Sequence, residues 1–398
     1  MYRTIKLISV LVVFLSFGLT EAKAQFSSDS LRISLLTASP GQQVYERFGH
    51  TALRVKDLKG NTDLIFNYGL FSFNTPNFIY RFVKGETDYQ LGVTEMRYFL
   101  GEYAMRGSRV TEQILDLSPA QSRKVFDALM TNYQPENRIY RYNFFYDNCS
   151  TRPRDIVEQN IGEAVRYFDP KGETTYRELV HEKTAMDPWL VFGIDLTLGE
   201  KADRAIDYRQ EMFLPEILME AFDTAKLTGE NGQRPLVKET VVLVEEEPEE
   251  LRTTPLNRFT SPLFVCWSLF VLVLLLTVRE YKKGKVCRIA DTLLFGAAGI
   301  AGCILFFLNF ISTHPTVDNN FNCIWLQPLH LFAAVAVWVK SLKRVLYYYH
   351  FANFATLILL LAFYGLIPQQ FNAAFFPLIG VLILRSGIHI ILRLKKSN

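Results

Sequence analysis

The chain has 398 residues, 49% hydrophobic and 21% charged, with a mean hydropathy of +0.10, which excludes a purely soluble protein. Its 43 Lys and Arg against 40 Asp and Glu leave a net charge of +3, too weak a field to argue for nucleic acid. Apolar residues crowd toward the C-terminus while most acidic residues precede position 250, so the two parts face different solvents.

Arg3 and Lys6 precede an apolar run from Leu7 to Leu19 and then Ala22-Lys23-Ala24. This is the order of a secretory signal with a small-x-small cleavage site, so residues 1–24 are expected to be removed and Gln25 to begin the mature chain. The alternative, an uncleaved anchor, fits the short apolar core less well.

Residues 25–226 read as one exported α+β domain. Strand patterns run from Leu31 to Thr37, His50 to Lys56, Leu64 to Tyr68, Tyr89 to Val93 and Arg109 to Leu115. Helix starts are marked by Thr75-Pro76 and Ser118-Pro119, and a further helix is expected from Asn148, ended by Gly162. The second strand contains Phe48-Gly49-His50-Thr51-Ala52, where alternation sets Thr51, Leu53 and Val55 on one face and His50, Ala52 and Arg54 on the other. His50 is thereby expected off the apolar face, free to line a cleft, although a single strand histidine also fits a plain surface position.

The segment Tyr142-Asn143-Phe144-Phe145-Tyr146-Asp147-Asn148-Cys149-Ser150-Thr151-Arg152 places Cys149 at or within a first helical turn. A helix N-terminus lowers a thiol pKa and offers free N–H groups to an oxyanion. Cys149 is the only cysteine of residues 25–226, so it is a nucleophile, a buried structural thiol, or half of a disulfide whose one possible partner is Cys323. A nucleophile needs a base; the domain holds His50 and His181, and His50 is better placed. Asp147 reads as a helix cap, and Arg152 as a group that steers a phosphate or carboxylate or else lies on a solvated face.

Residues 227–260, with the run Glu245-Glu246-Glu247-Pro248-Glu249-Glu250, read as an acidic linker in which Val241 to Val244 can form an edge strand. Residues 261–398 contain five apolar spans: 262–278, 289–311, 324–339, 345–367 and 371–392. Lys and Arg cluster between the first two, after the third and at the end, which puts those segments in the cytoplasm and the remaining loops outside with the N-terminal domain. The outer loop from Thr313 to Cys323 is unusually polar: His314, Asn320 and Asn322 can grip head groups, or the Asn, Asp and Pro residues can simply make a turn. Intramembrane His330 is a functional candidate, whereas Arg385 is expected to snorkel to the cytoplasmic face.

Phe48-Gly49-His50-Thr51-Ala52, followed about a hundred residues later by Asp147-Asn148-Cys149-Ser150-Thr151, resembles the circularly permuted branch of the papain-like NlpC superfamily, an order shared with lecithin retinol acyltransferase. With a following helix bundle whose outer loop holds His314-Pro315 and Asn320-Phe321-Asn322, nearly the whole mature chain is similar to the Lnb type of bacterial lipoprotein N-acyltransferase. The resemblance implies a bacterial inner-membrane protein with its catalytic domain on the periplasmic side. It implies acyl transfer through a Cys149 thioester with His50 as base, phospholipids and lipoproteins as partners, and no cofactor or metal. It also implies a third polar residue on the strand after His50. Asn67 is the best match, though it can equally be a strand-end residue bonding the backbone near Gly69. Two other readings stay open: a membrane-tethered cysteine peptidase or amidase acting on peptidoglycan, and a non-catalytic lipid-binding module.

Overall fold

The computed structural model describes residues 30–395 apart from 42, 73, 75, 170–171, 230–231 and 247–258; the expected signal segment and its cleavage site lie outside the described residues. The N-terminal domain is built on a seven-stranded antiparallel sheet. Its strands are β1 (Leu31–Ala38), β2 (His50–Asp57), β3 (Asp63–Leu70), β4 (Asp88–Glu95), β5 (Val110–Leu115), β6 (Ile139–Arg141) and, from beyond residue 226, a strand at Val237–Val244. Their spatial order places Val237–Val244 first, followed by β5, β1, β2, β3, β4 and β6. The segment expected as a linker therefore completes the sheet: Val237–Val244 pairs antiparallel with β5, and two short strands, Lys226–Gly229 and Gly232–Pro235, form a hairpin ahead of it. β-Branched valines outweigh the local charge there, and the acidic side chains remain on an edge strand where water reaches them.

Both faces of the sheet are covered. Leu35, Leu53, Val55, Phe66 and Tyr68 face a large core closed by α3 (Pro119–Tyr133), α4 (Thr151–Asn160) and α8 (Pro215–Thr224). Between α4 and α8 the chain forms α5 (Tyr176–Thr184), α6 (Pro188–Thr197) and α7 (Tyr208–Glu211). On the other face Leu36, Ala52 and Ile65 pack under Met96, Phe99 and Tyr103 of α2 (Met96–Arg106). The face that His50 shares with Ala52 and Arg54 is therefore also covered: Ala52 is buried, and Arg54 is buried and held by Asp63 and Glu112 at 2.6 and 2.8 Å. The remaining helix, α1 (Phe78–Lys84), lies outside both layers.

Among the described residues, the C-terminal part holds four helices long and apolar enough to cross a membrane: α9 (Pro262–Lys283), α10 (Arg288–Phe310), α12 (Lys343–Ala362) and α13 (Phe375–Leu394). The expected third span is different. Residues 321–342 return the chain toward the start of α12 as 3-10 turns around one short helix, α11 (His330–Ala336). Pro328 breaks the run, and irregular backbone at this depth has to be satisfied by protein. His330 bonds the Trp325 carbonyl at 2.9 Å through Nε2 and the Tyr349 hydroxyl through Nδ1, while Thr292 donates to the Ala334 carbonyl at 3.0 Å. Gly302 permits the approach: a Cβ there would stand 2.5 Å from the Gln327 backbone.

Arg385 does not snorkel. It is fully buried between Glu280 at 2.6 Å and Asp291 at 2.7 Å, with His389 on the second Asp291 oxygen. Three charges from three helices thus meet inside the bundle, where pairing removes most of the cost of their burial.

Candidate active site

In antiparallel neighbours, the start of one strand lies beside the end of the next. His50 opens β2 and Asn67 lies near the end of β3, so both reach the same sheet edge, and His50 Nε2 meets Asn67 Oδ1 at 3.1 Å. Beyond Asn67 the pairing with β4 slips at Gly69, whose φ of +95° a side chain would strain. A Cβ on Gly69 would touch Cys149 Cβ at 3.5 Å, which puts the thiol over this kink.

Cys149 is delivered by the turn before α4, which begins three residues later than the expected start at Asn148. Asn148 makes that turn. Its Oδ1 accepts the N–H groups of Ser150 and Thr151 at 2.8 and 2.9 Å, and its Nδ2 donates to the Phe144 and Phe213 carbonyls, both at 2.8 Å. A buried amide with its bonds filled holds the backbone in one geometry, and Cys149 with it.

Cys149 and His50 lie close enough to shift each other's titration. Burial alone would push the imidazole pKa down and the thiol pKa up. The charge of each partner and the contact between their side chains reverse both, so His50 is raised and Cys149 lowered. The backbone N–H groups of Thr51 and Cys149 also point at the sulfur and favour its anion. Asn67 and the more distant Glu102 add to the rise at His50, and Tyr103 stacks on the imidazole at 6.3 Å and 15°. The result is a thiol and an imidazole each shifted toward its charged form, with Asn67 behind the imidazole and two backbone donors beside the sulfur, an arrangement suited to acyl transfer.

The remaining expected site residues are elsewhere. Arg152 makes a two-pronged ion pair with Asp147 at 2.6 and 2.8 Å and lies 3.5 Å over the Tyr140 ring. His314 bonds the Phe82 carbonyl at 2.8 Å. Asn320 and Asn322 are buried, donating to the carbonyls of Asp195, Leu196 and Thr197 at the end of α6. Those carbonyls have no partner within their own helix, so the polar outer loop satisfies them and joins the two parts of the chain. Gln369 and Asn372 extend the seam to the Leu198 carbonyl at 3.0 Å and the Asp195 carboxylate at 2.8 Å. Cys149 and Cys323 are both free thiols, and among the described residues no cluster is arranged to hold a metal ion.

Thr51, Asn148 and Tyr103 were missed as site residues. Asn148 had a signal, an Asx residue before a helix; the other two act through a backbone group and a ring whose placement no local pattern encodes.

Two family models match the chain, the Lnb N-terminal periplasmic domain over residues 19–182 and the Lnb transmembrane domain over residues 254–397. The chain belongs to the Lnb family. Together the matches make it a membrane protein with a periplasmic part, and Cys149, His50 and Asn67 all fall within the periplasmic match. Comparison with curated proteins and with solved structures gives no match.

Proposed function

We propose that this Lnb protein is a lipoprotein N-acyltransferase of the bacterial inner membrane. Family membership points to lipoprotein processing; the observation that carries the chemistry is the placing of Cys149 beside His50, with Asn67 behind the imidazole, next to a bundle of apolar helices. The Cys149 thiolate attacks an ester carbonyl of a lipid, and the Thr51 and Cys149 N–H groups face the oxyanion that forms. As the ester C–O bond breaks, His50 gives its proton to the departing glyceryl oxygen, leaving a thioester and an alcohol. The N-terminal amine of a lipoprotein then attacks the thioester, His50 takes the amine proton, and the thiolate leaves as the amide forms. The sum is ester plus amine to alcohol plus amide, with the pair restored.

The test is mass spectrometry of lipoprotein N-termini from cells carrying wild-type protein or Cys149→Ala at equal abundance. N-Acylated termini are expected with the first only, and His50→Ala and Cys149→Ser should match Cys149→Ala, because a hydroxyl is too weak an acid for this base to activate. N-Acylation by the Cys149→Ala protein would refute the proposal, and peptide cleavage in the cell wall that depends on Cys149 would assign the site to a hydrolase.

A further inference from the structure

We propose that the groove between α1 and α10 is the acyl-chain site of this enzyme, receiving a lipid tail sideways from the outer leaflet; this rests on the reading of Cys149 as an acyl-transfer nucleophile. The groove is open to its surroundings, spans about 900 Å³ and is lined by Phe78, Tyr80 and Val83 on one wall and Cys303, Ile304 and Phe307 on the other. The second wall is part of a membrane-spanning helix, on the side opposite Gly302 and Leu305, which are buried in the bundle. Bilayer therefore bathes that wall, and a hydrocarbon chain is the occupant its surroundings supply. The first wall is fixed at the outer end of α10: Thr313 bonds the Lys84 carbonyl at 2.8 Å, and the Tyr80 and Phe307 rings lie 6.1 Å apart.

α1 is unusual for a helix of the aqueous domain. It leaves Ile79, Tyr80 and Phe82 exposed, Ile79 at 78%, while its charges Arg81 and Lys84 are paired with Asp88 and Glu86. An apolar helix with neutralised charges, tied to the mouth of a membrane bundle, suits immersion among head groups and the first methylenes.

From this groove a file of aromatic rings leads toward the nucleophile. Phe78 stacks on Phe71 at 5.9 Å, Phe71 meets Tyr89 at 5.1 Å, and Tyr89 stacks on Tyr142 at 4.1 Å. Tyr142 is within electrostatic reach of Cys149. A Cβ on Gly69, two residues before Phe71, would lie against Cys149 Cβ at 3.5 Å, so a tail seated between α1 and α10 borders an apolar ring surface that approaches the thiol, and its binding adds to the transition state from a distance.

The test fills the groove from its lipid-facing wall with Cys303→Trp and Ile304→Trp. Acyl-Cys149 formation is followed by intact-protein mass spectrometry with p-nitrophenyl palmitate and p-nitrophenyl butyrate. Wild type should be acylated by both; the variants should lose about tenfold or more in rate with palmitate and keep the butyrate rate. Equal rates with palmitate in variant and wild type, or equal loss with both esters, overturns the groove. Acylation of wild type by neither ester overturns the thioester reading instead. The groove is then decided by cross-linking alone, using a diazirine-tailed phosphatidylethanolamine in nanodiscs with the Cys149→Ala protein. Label concentrated on peptides 78–83 and 303–307 and lost in Cys303→Trp supports it, and label spread evenly over the lipid-facing helices rejects it.

Discussion

His50 and Cys149 each favour the other's charged form, and the pH behaviour follows from the direction of each shift. The thiol pKa is lowered, so the thiolate persists as pH falls below the ordinary thiol range and is lost only on passing the depressed value. The imidazole pKa is raised, so its proton is retained to higher pH than on a free imidazole and lost as pH climbs past the elevated value. Iodoacetamide should therefore alkylate Cys149 readily at a pH where a free thiol is nearly inert, and His50→Ala should move the onset of alkylation up toward the free-thiol range. An unchanged onset would show that the backbone donors alone depress the thiol. Asn67 touches the base and not the sulfur, so it is a positioning residue. Asn67→Ala should lower the acylation rate by on the order of ten- to a hundredfold and shift the alkaline limb of the rate profile downward, with partial rescue by Asn67→Asp. A proportional loss of folded protein with no shift of that limb would make its role purely structural. These residues were readable because each motif carries its chemistry locally: a cysteine before a helix, a histidine at a strand start. Tyr103 was not, since alternation along β2 says which side chains share a face but not which helix covers it.

At the level of elements, the N-terminal strands followed their β-branched and aromatic runs, and after residue 226 the edge strand was legible at Val241 to Val244 but its start at Val237 and the preceding hairpin were not, because charge and valine content pointed opposite ways. The third membrane pass misled for a related reason: hydropathy measures how well side chains suit lipid and is blind to a backbone that Pro328 interrupts. Its packing against α10 gives a paired prediction. Gly302→Ala sets a Cβ 2.5 Å from the Gln327 backbone, while Gly296→Ala meets only the Ala334 methyl at 4.0 Å. In detergent, Gly302→Ala should lower the midpoint of thermal unfolding by an amount corresponding to roughly 1–3 kcal/mol, and Gly296→Ala should leave it level or raised. Equal midpoints for the two variants would mean that residues 321–342 give way without cost.

For the molecule as a whole, the decisive contact is the seam in which Asn320, Asn322, Gln369 and Asn372 complete α6. No single-sequence pattern exposes it, because carbonyls at a helix end are anonymous until the partner loop is folded beside them. Replacing Asn320 and Asn322 together by Ala should increase hydrogen exchange at residues 195–198 and cut acylation of Cys149 by lipid-embedded esters. Its alkylation by water-soluble iodoacetamide should stay unchanged. Unaltered lipid acylation would show that the hydrophobic contact of Phe192 with Phe375 fixes the domain without the amides. With both the α6 seam and the Thr313 tie in place, Cys149 is held at a set position against the helix bundle. Under the proposed mechanism such a mounting would work as a depth gauge. Esters of similar reactivity would be sorted by how far they sit below the head groups, and an ester bond displaced from that level, by a longer head group or a thicker sugar coat, would pass out of range with its carbonyl intact.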